Sequence, residues 1–107
     1  MKLGIIIETA DPERVWNAFR LANTALDADH TVDVFLLGDG VLVPDIDTEK
    51  FNPTGVIRKY ILNDGSIDAC GTCMDSRNVK AGDLRPTATM QVLLSLVEKS
   101  DKIITVG

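Results

Sequence analysis

Ser66-Ile67-Asp68-Ala69-Cys70-Gly71-Thr72-Cys73-Met74-Asp75-Ser76-Arg77 decides both how this chain folds and where its chemistry sits. The stretch reads as a short strand, Ile67 to Cys70, that turns at Gly71 and opens a short helix to about Asn78. Both cysteines of the chain lie in it, three residues apart. A cysteine where a strand gives way to a helix faces backbone N–H groups that lack carbonyl partners, and the positive helix end. Both favour its thiolate. Helical spacing puts Cys70, Cys73 and Arg77 on one side. Gly71 leaves the backbone free to turn and approach closely, and Thr72 adds an N–H beside it. Met74 reads as core and Asp75 as a solvated acid, since a carboxylate aimed at Cys70 would oppose its ionisation.

Upstream, Leu3-Gly4-Ile5-Ile6-Ile7 is a nearly continuous apolar run of the kind a parallel strand covered on both faces shows. Asp11-Pro12-Glu13 then opens a helix with an acidic cap and a first-turn proline. Val15, Phe19, Ala22 and Leu26 form its apolar stripe to about residue 27, with Trp16 beside it as an edge or interface anchor. Val32-Asp33-Val34-Phe35-Leu36-Leu37 is a second strand, stopped by Gly38-Asp39-Gly40. Strand, helix and strand make a βαβ unit. His30 precedes the second strand, at the end of the sheet away from Gly38, as a surface loop residue. From Val41 to Pro53 no period is legible, and Asp45, Asp47 and Glu49 read as solvated acids. A second helix runs from about Pro53 to Asn63 and stops at Asn63-Asp64-Gly65. Tyr60 on it reads as a packing residue with a wet hydroxyl.

Downstream, Val79 to Leu84 is a connector with room for a short strand. Pro86 starts a third long helix, Thr87 to Lys99, with Met90, Leu93, Leu94 and Val97 at helical spacing. Val92 and Leu96 broaden that surface beyond one stripe, which fits burial against both the sheet and a partner subunit. Lys102 to Val106 is a closing strand. The sum is a single α/β domain over residues 1–107, three layers deep, with a mainly parallel sheet of four to five strands. At 107 residues, 45% hydrophobic and 25% charged, such a chain buries a real core.

The formal net charge of −5 repels phosphate backbones and argues against direct nucleic-acid binding. No apolar run approaches the roughly 20 residues that cross a bilayer, and the start carries no signal-peptide pattern. The expected location is cytoplasmic, where two cysteines read as free, reactive or metal-binding before they read as a staple.

In parallel sheets, ligands and reactive groups lie beyond the C-terminal strand ends. Glu8-Thr9, Gly38-Asp39-Gly40, Cys70-Gly71 and Gly107 map there. The residues themselves leave three chemistries open at Cys70 and Cys73. One is thiol–disulfide exchange, with Cys73 resolving a mixed disulfide on Cys70. Another is persulfide chemistry. The third is a metal site, which needs two more ligands and therefore a second Cys-x-x-Cys across an interface. Arg77 offers a guanidinium to an anionic sulfur or substrate, or else pairs with Asp75, Asp83 or a partner's carboxylate. A non-enzymatic ligand-binding or regulatory protein is the alternative from another class.

The opening strand, the Asp11-to-Leu26 helix, Phe35-Leu36-Leu37-Gly38-Asp39-Gly40, the Cys70-to-Arg77 core and the final helix–strand pair together resemble the DsrE/DsrF-like family. That family is one of small α/β proteins and includes sulfur-relay subunits. The resemblance implies a persulfide sulfur carried on Cys70, with Arg77 in place of the basic residue that follows it in relay members. It implies a homo-oligomer, trimeric or hexameric, that meets sulfur donor and acceptor proteins and needs no cofactor. Cys73 has no counterpart in many relay subunits, and Asn78 stands where they often have glycine.

Overall fold

The computed structural model describes residues 1–107. In chain order its elements are β1 (Lys2–Ile7), α1 (Pro12–Asp27), β2 (Thr31–Leu36), a 3-10 stretch (Gly38–Asp45) and α2 (Pro53–Leu62). There follow β3 (Ser66–Cys70), α3 (Gly71–Ser76), β4 (Thr87–Ala88), α4 (Met90–Lys99) and β5 (Lys102–Val106). The five strands form one sheet in the order β4-β3-β2-β1-β5, and every neighbouring pair is parallel. Helices cover both faces, so the fold is the three-layer α/β/α arrangement.

The first two helices start where the sequence places them, and for the same reason. Asp11 accepts the Arg14 N–H at 2.9 Å and Asn52 accepts the Gly55 N–H at 3.0 Å. Pro12 and Pro53 follow at positions where an N–H would have had no helical partner. On α1, Val15, Ala18, Phe19, Ala22 and Ala25 are buried. The α2 helix stops as the chain turns left-handed at Asp64, φ 67°.

Register decides which side chains share a face. Leu3, Ile5 and Ile7 lie level with Val32, Val34 and Leu36, and these with Ile67 and Ala69. This apolar face meets α1 and α2, whose Phe19 and Tyr60 rings pack edge to face at 5.4 Å. Tyr60 differs from the expectation of a wet hydroxyl. It is fully buried, and its O–H lies 2.9 Å from the Val32 carbonyl and 2.6 Å from that of Ser66. Burial first, and Asp33 second, push its ionisation far up, so it is a strap between α2 and two strand starts.

The alternate strand positions, Lys2, Gly4, Ile6, Asp33, Phe35, Ser66 and Asp68, face the other way, toward α4. Gly4 sets how closely α4 approaches: a Cβ there would lie 2.6 Å from Ser100 Oγ and 2.7 Å from Leu96 Cδ2.

The C-terminal third departs most from the sequence reading. The expected Thr87–Lys99 helix begins only at Met90, because Thr87 and Ala88 form an edge strand beside Ala69 and Cys70. The Pro86 carbonyl continues this pairing by accepting the Ala69 N–H at 2.8 Å. The Met90, Leu94 and Val97 stripe points outward, with Met90 55% and Leu94 57% exposed, and Leu96 is the one buried residue of α4. The chain must travel from one sheet edge to the other along α4, and the sheet positions beneath it are partly charged. Its contact with the sheet is correspondingly narrow. Val79 to Leu84 holds no strand, only a lone antiparallel bridge between Gly82 and Arg85. No helix is long and apolar enough to cross a membrane.

Candidate functional site

Cys70 is the last residue of β3 and the N-cap of α3. Its backbone stays extended (φ −61°, ψ 116°), and its Sγ accepts the Cys73 N–H at 3.4 Å. The thiol thus does what a serine or aspartate does at other helix starts. A sulfur that becomes anionic gains more from that donor than a neutral one. Because α3 has only six residues, this single amide, rather than a long helix dipole, is what the fold supplies. Gly71 lies against β4, where a Cβ would come 2.9 Å from Thr87 Oγ1, and Thr72 is exposed.

Cys73, one helical turn on, is half-buried and also has an amide donor: the Gly38 N–H lies 3.3 Å from its Sγ. Gly38 opens the 3-10 stretch after β2 with φ +56°, a left-handed turn that suits glycine. Gly40 lies directly on the Ile7 carbonyl, leaving no room for a side chain. Burial pushes the Cys73 thiol up and the adjacent Cys70 thiol adds to this, while the Gly38 N–H and Arg77 pull the other way.

Arg77 closes the arrangement. Its Nε donates to Asp39 Oδ1 at 3.0 Å, and its Nη1 donates to the Cys73 carbonyl and to Ser76 Oγ, both at 3.1 Å. Its carboxylate partner is therefore Asp39, not Asp75 or Asp83. The turn after β2 and the helix after β3 are tied together on both sides of Cys73. Just past α3, Asn78 takes the left-handed turn, φ 54°.

Gly38, Asp39, Gly40, Cys70, Gly71, Thr72, Cys73 and Arg77 thus gather at the tips of β2 and β3. Glu8 and Thr9 do not join them. They follow β1, two strand spacings or about 10 Å from β3. There the Glu8 N–H donates to the Val106 carbonyl at 2.7 Å, and Thr9 Oγ1 accepts the Asp11 N–H at 3.0 Å. Gly107 is on that side too, its carbonyl accepting from Arg14 Nη1 at 3.0 Å. The reversal of strand order falls between β1 and β5, so the cysteines lie away from the usual switch-point crevice.

Access is the second departure. Cys70 is only 4% exposed, so Cys73 is the more open residue of the pair.

Two features escaped the sequence reading. Arg85 donates to Asp45 Oδ2 at 2.9 Å and to the Val41 and Lys80 carbonyls at 3.1 and 2.7 Å, clamping the connector onto the 3-10 stretch. Asp45 is therefore paired rather than merely solvated. Asp47 likewise holds the Thr54 N–H at 3.0 Å. No local signal announces contacts across this much chain. The second feature is a cavity of about 180 Å³ under α4, lined by Lys2, Asp33, Ser66, Asp68, Ser95 and Lys99 among others. Lys2 Nζ lies 3.1 Å from Asp33 Oδ2, and burial, then Asp33, raise the Asp68 carboxyl. A signal was present here: Asp33 and Asp68 each interrupt an apolar strand that helices should cover. Within the chain no three histidine, cysteine, aspartate or glutamate side chains gather as a metal set.

Residues 1–106 match the DsrE/DsrF-like family. An uncharacterized protein of Methanocaldococcus jannaschii is 34% identical over 98% of this chain and 99% of its own length. An uncharacterized protein of Methanopyrus kandleri is 33% identical over 86% of this chain and 81% of its own. Among solved structures, the ychN protein from E. coli superposes with a TM-score of 0.87 over 98% of both chains at 22% identity, a likeness of fold. The chain belongs to the DsrE/DsrF-like family.

Proposed function

We propose that this DsrE/DsrF-like protein carries persulfide sulfur on Cys70. The Cys70 thiolate attacks the outer sulfur of a donor persulfide. A new S–S bond forms, the donor's own S–S bond breaks, and the donor leaves as a thiolate. An acceptor thiolate later attacks the outer sulfur of Cys70–S–SH, restoring Cys70. This is covalent group carriage that needs no cofactor.

The observation that carries the reading is the N-cap geometry: the Cys70 sulfur sits on the Cys73 amide, which stabilises the anion at each stage. Arg77 keeps a positive charge beside the pair while it fixes the Gly38 turn through Asp39. The narrow opening at Cys70 favours small persulfide donors, or a donor protein that inserts its sulfur on an extended loop.

The outward-facing Met90, Leu94 and Val97 on α4, with Ile103 and Ile104 on the edge strand β5, support assembly of identical chains into a trimer or hexamer. Free thiols three residues apart suit a reducing compartment such as the cytoplasm.

The test uses Cys73→Ser, in which no second thiol competes. Incubated with a low-molecular-weight persulfide, it should gain one sulfur by intact mass spectrometry and lose it to added acceptor thiol. Uptake no greater than in the Cys70→Ser/Cys73→Ser double variant would overturn the assignment. The neighbouring thiols also favour a second reading, dithiol–disulfide exchange without bound sulfur. That reading predicts a reversible Cys70–Cys73 bond and no adduct on Cys73→Ser.

A further inference from the structure

Between a buried Cys70 and a half-buried Cys73 there is an asymmetry that bears on how a bound sulfur leaves. A persulfide on Cys70 extends from a sulfur that is almost sealed, which hinders attack by an outside acceptor. One thiol already lies beside it within the same chain. Cys73 lies one turn along the same helix, and its own amide touches the Cys70 sulfur at 3.4 Å.

Resting on the carrier reading above, we propose that Cys73 discharges Cys70–S–SH internally, so that the protein releases inorganic sulfide and closes a Cys70–Cys73 disulfide. The Cys73 thiolate attacks the inner sulfur, Sγ of Cys70. The Cys70–Cys73 S–S bond forms, the bond to the outer sulfur breaks, and that sulfur departs with the electron pair as HS⁻. The persulfide's sulfane sulfur is reduced and the two cysteines are oxidised. A dithiol reductant then restores both thiols by exchange, itself becoming a disulfide.

Closure requires the two side chains to approach. Side chains three apart on a helix have Cβ atoms about 5–6 Å apart, against about 3.5–4.5 Å in a disulfide. Cys70 is the non-helical cap residue, so only one end of the bridge is fixed by the helix ladder.

The surroundings of Cys73 regulate the step. Facing its sulfur are the Cys70 sulfur within α3's first turn, the Gly38 N–H from the end of β2, and the Arg77 guanidinium, itself paired with Asp39. Burial and the Cys70 sulfur hold the thiol protonated above the usual range, so Cys73 is a latent nucleophile. Below its own pKa, the discharge rate follows the thiolate fraction and rises about tenfold per pH unit.

The test loads pre-reduced wild-type chain and Cys73→Ser with the same low-molecular-weight persulfide, removes the excess, and follows sulfide and peptide masses. Wild type should give stoichiometric sulfide together with a Cys70–Cys73-linked peptide, faster at higher pH. Cys73→Ser should keep its sulfur on Cys70 and release none, and Cys73→Ala should behave the same way. Wild type holding its sulfur as long as Cys73→Ser would overturn the discharge step and leave the carrier reading standing. Failure of Cys73→Ser and Cys73→Ala to take up sulfur at all would overturn the carrier reading, and the discharge step with it.

Discussion

On one side of the sheet Leu3, Ile5, Ile7, Val32, Val34, Leu36, Ile67 and Ala69 lie under α1 and α2 with no charged side chain among them. On the other, the alternate positions are Lys2, Gly4, Ile6, Asp33, Phe35, Ser66 and Asp68, and at the tip of β3 the same alternation brings Cys70. The first side is closed by two capped helices and a buried aromatic pair. The second has a single helix that buries one residue, Leu96, and leaves a polar cavity beneath it. The same strands supply both sides, so the contrast lies in alternate residues rather than in the backbone. It teaches that stability is concentrated on the α1/α2 side. The α4 side keeps an exposed apolar stripe, Met90, Leu94 and Val97, where the proposed assembly would form.

The contrast is tested most severely at Phe19, fully buried on the closed side. Phe19→Ala should lower unfolding stability by about 3–5 kcal/mol, read from the shift in denaturant midpoint. A loss below about 1 kcal/mol would mean the closed side is not the stabilising one.

On the open side the corresponding large effect is on mass rather than on packing. Leu94→Glu should reduce the proposed trimer or hexamer to smaller species in light scattering while the circular dichroism spectrum keeps its form. An unchanged mass would show that α4 does not hold subunits together.

Next in size comes Tyr60→Phe, which removes the hydroxyl lying 2.9 and 2.6 Å from the Val32 and Ser66 carbonyls. It should cost about 0.5–1.5 kcal/mol, the net worth of a typical hydrogen bond.

The smallest effect is expected at Asp68. Its carboxyl is raised by burial first and by Asp33 second, so the folded state holds this proton more firmly than the unfolded state. That advantage is complete below the ordinary carboxylate range and is lost as pH rises through the elevated value. Asp68→Asn should therefore flatten the fall in stability across that window and be neutral to slightly stabilising near neutral pH. Midpoints measured from about pH 4 to pH 8 would show it. An unaltered pH profile would place Asp68 in open water.

Much of this was legible because the responsible signals are local. Asp11-Pro12 and the Val15-to-Leu26 stripe mark α1, the apolar runs mark β1 and β2, and Cys70-Gly71 marks the passage from strand to helix. The losses are contacts that local pattern does not carry. Thr87-Ala88 has neither the length nor the apolar character of a strand, and it pairs only because the edge of β3 is open beside it. Pro86 instead suggested a helix start. The outward turn of Met90 and Leu94 depends on what lies beneath α4, which the helical period alone does not report. At the site, the spacing of Cys70, Cys73 and Arg77 was readable. The Asp39 partner of Arg77, 38 residues away, was not. Nor was the burial of Cys70, which depends on neighbouring elements closing around the tip. The tips of β1 and β3 satisfied the same rule for parallel sheets, and only strand order separates them.

The central claim rests on where the sulfur goes. Cys73→Ser should be loaded with persulfide, trapped with an alkylating reagent and digested, and the peptide spanning Cys70 weighed. The account predicts that this peptide carries one extra sulfur beneath the alkyl group. A Cys70 peptide bearing the alkyl group alone, under conditions where the donor remains intact, would contradict it.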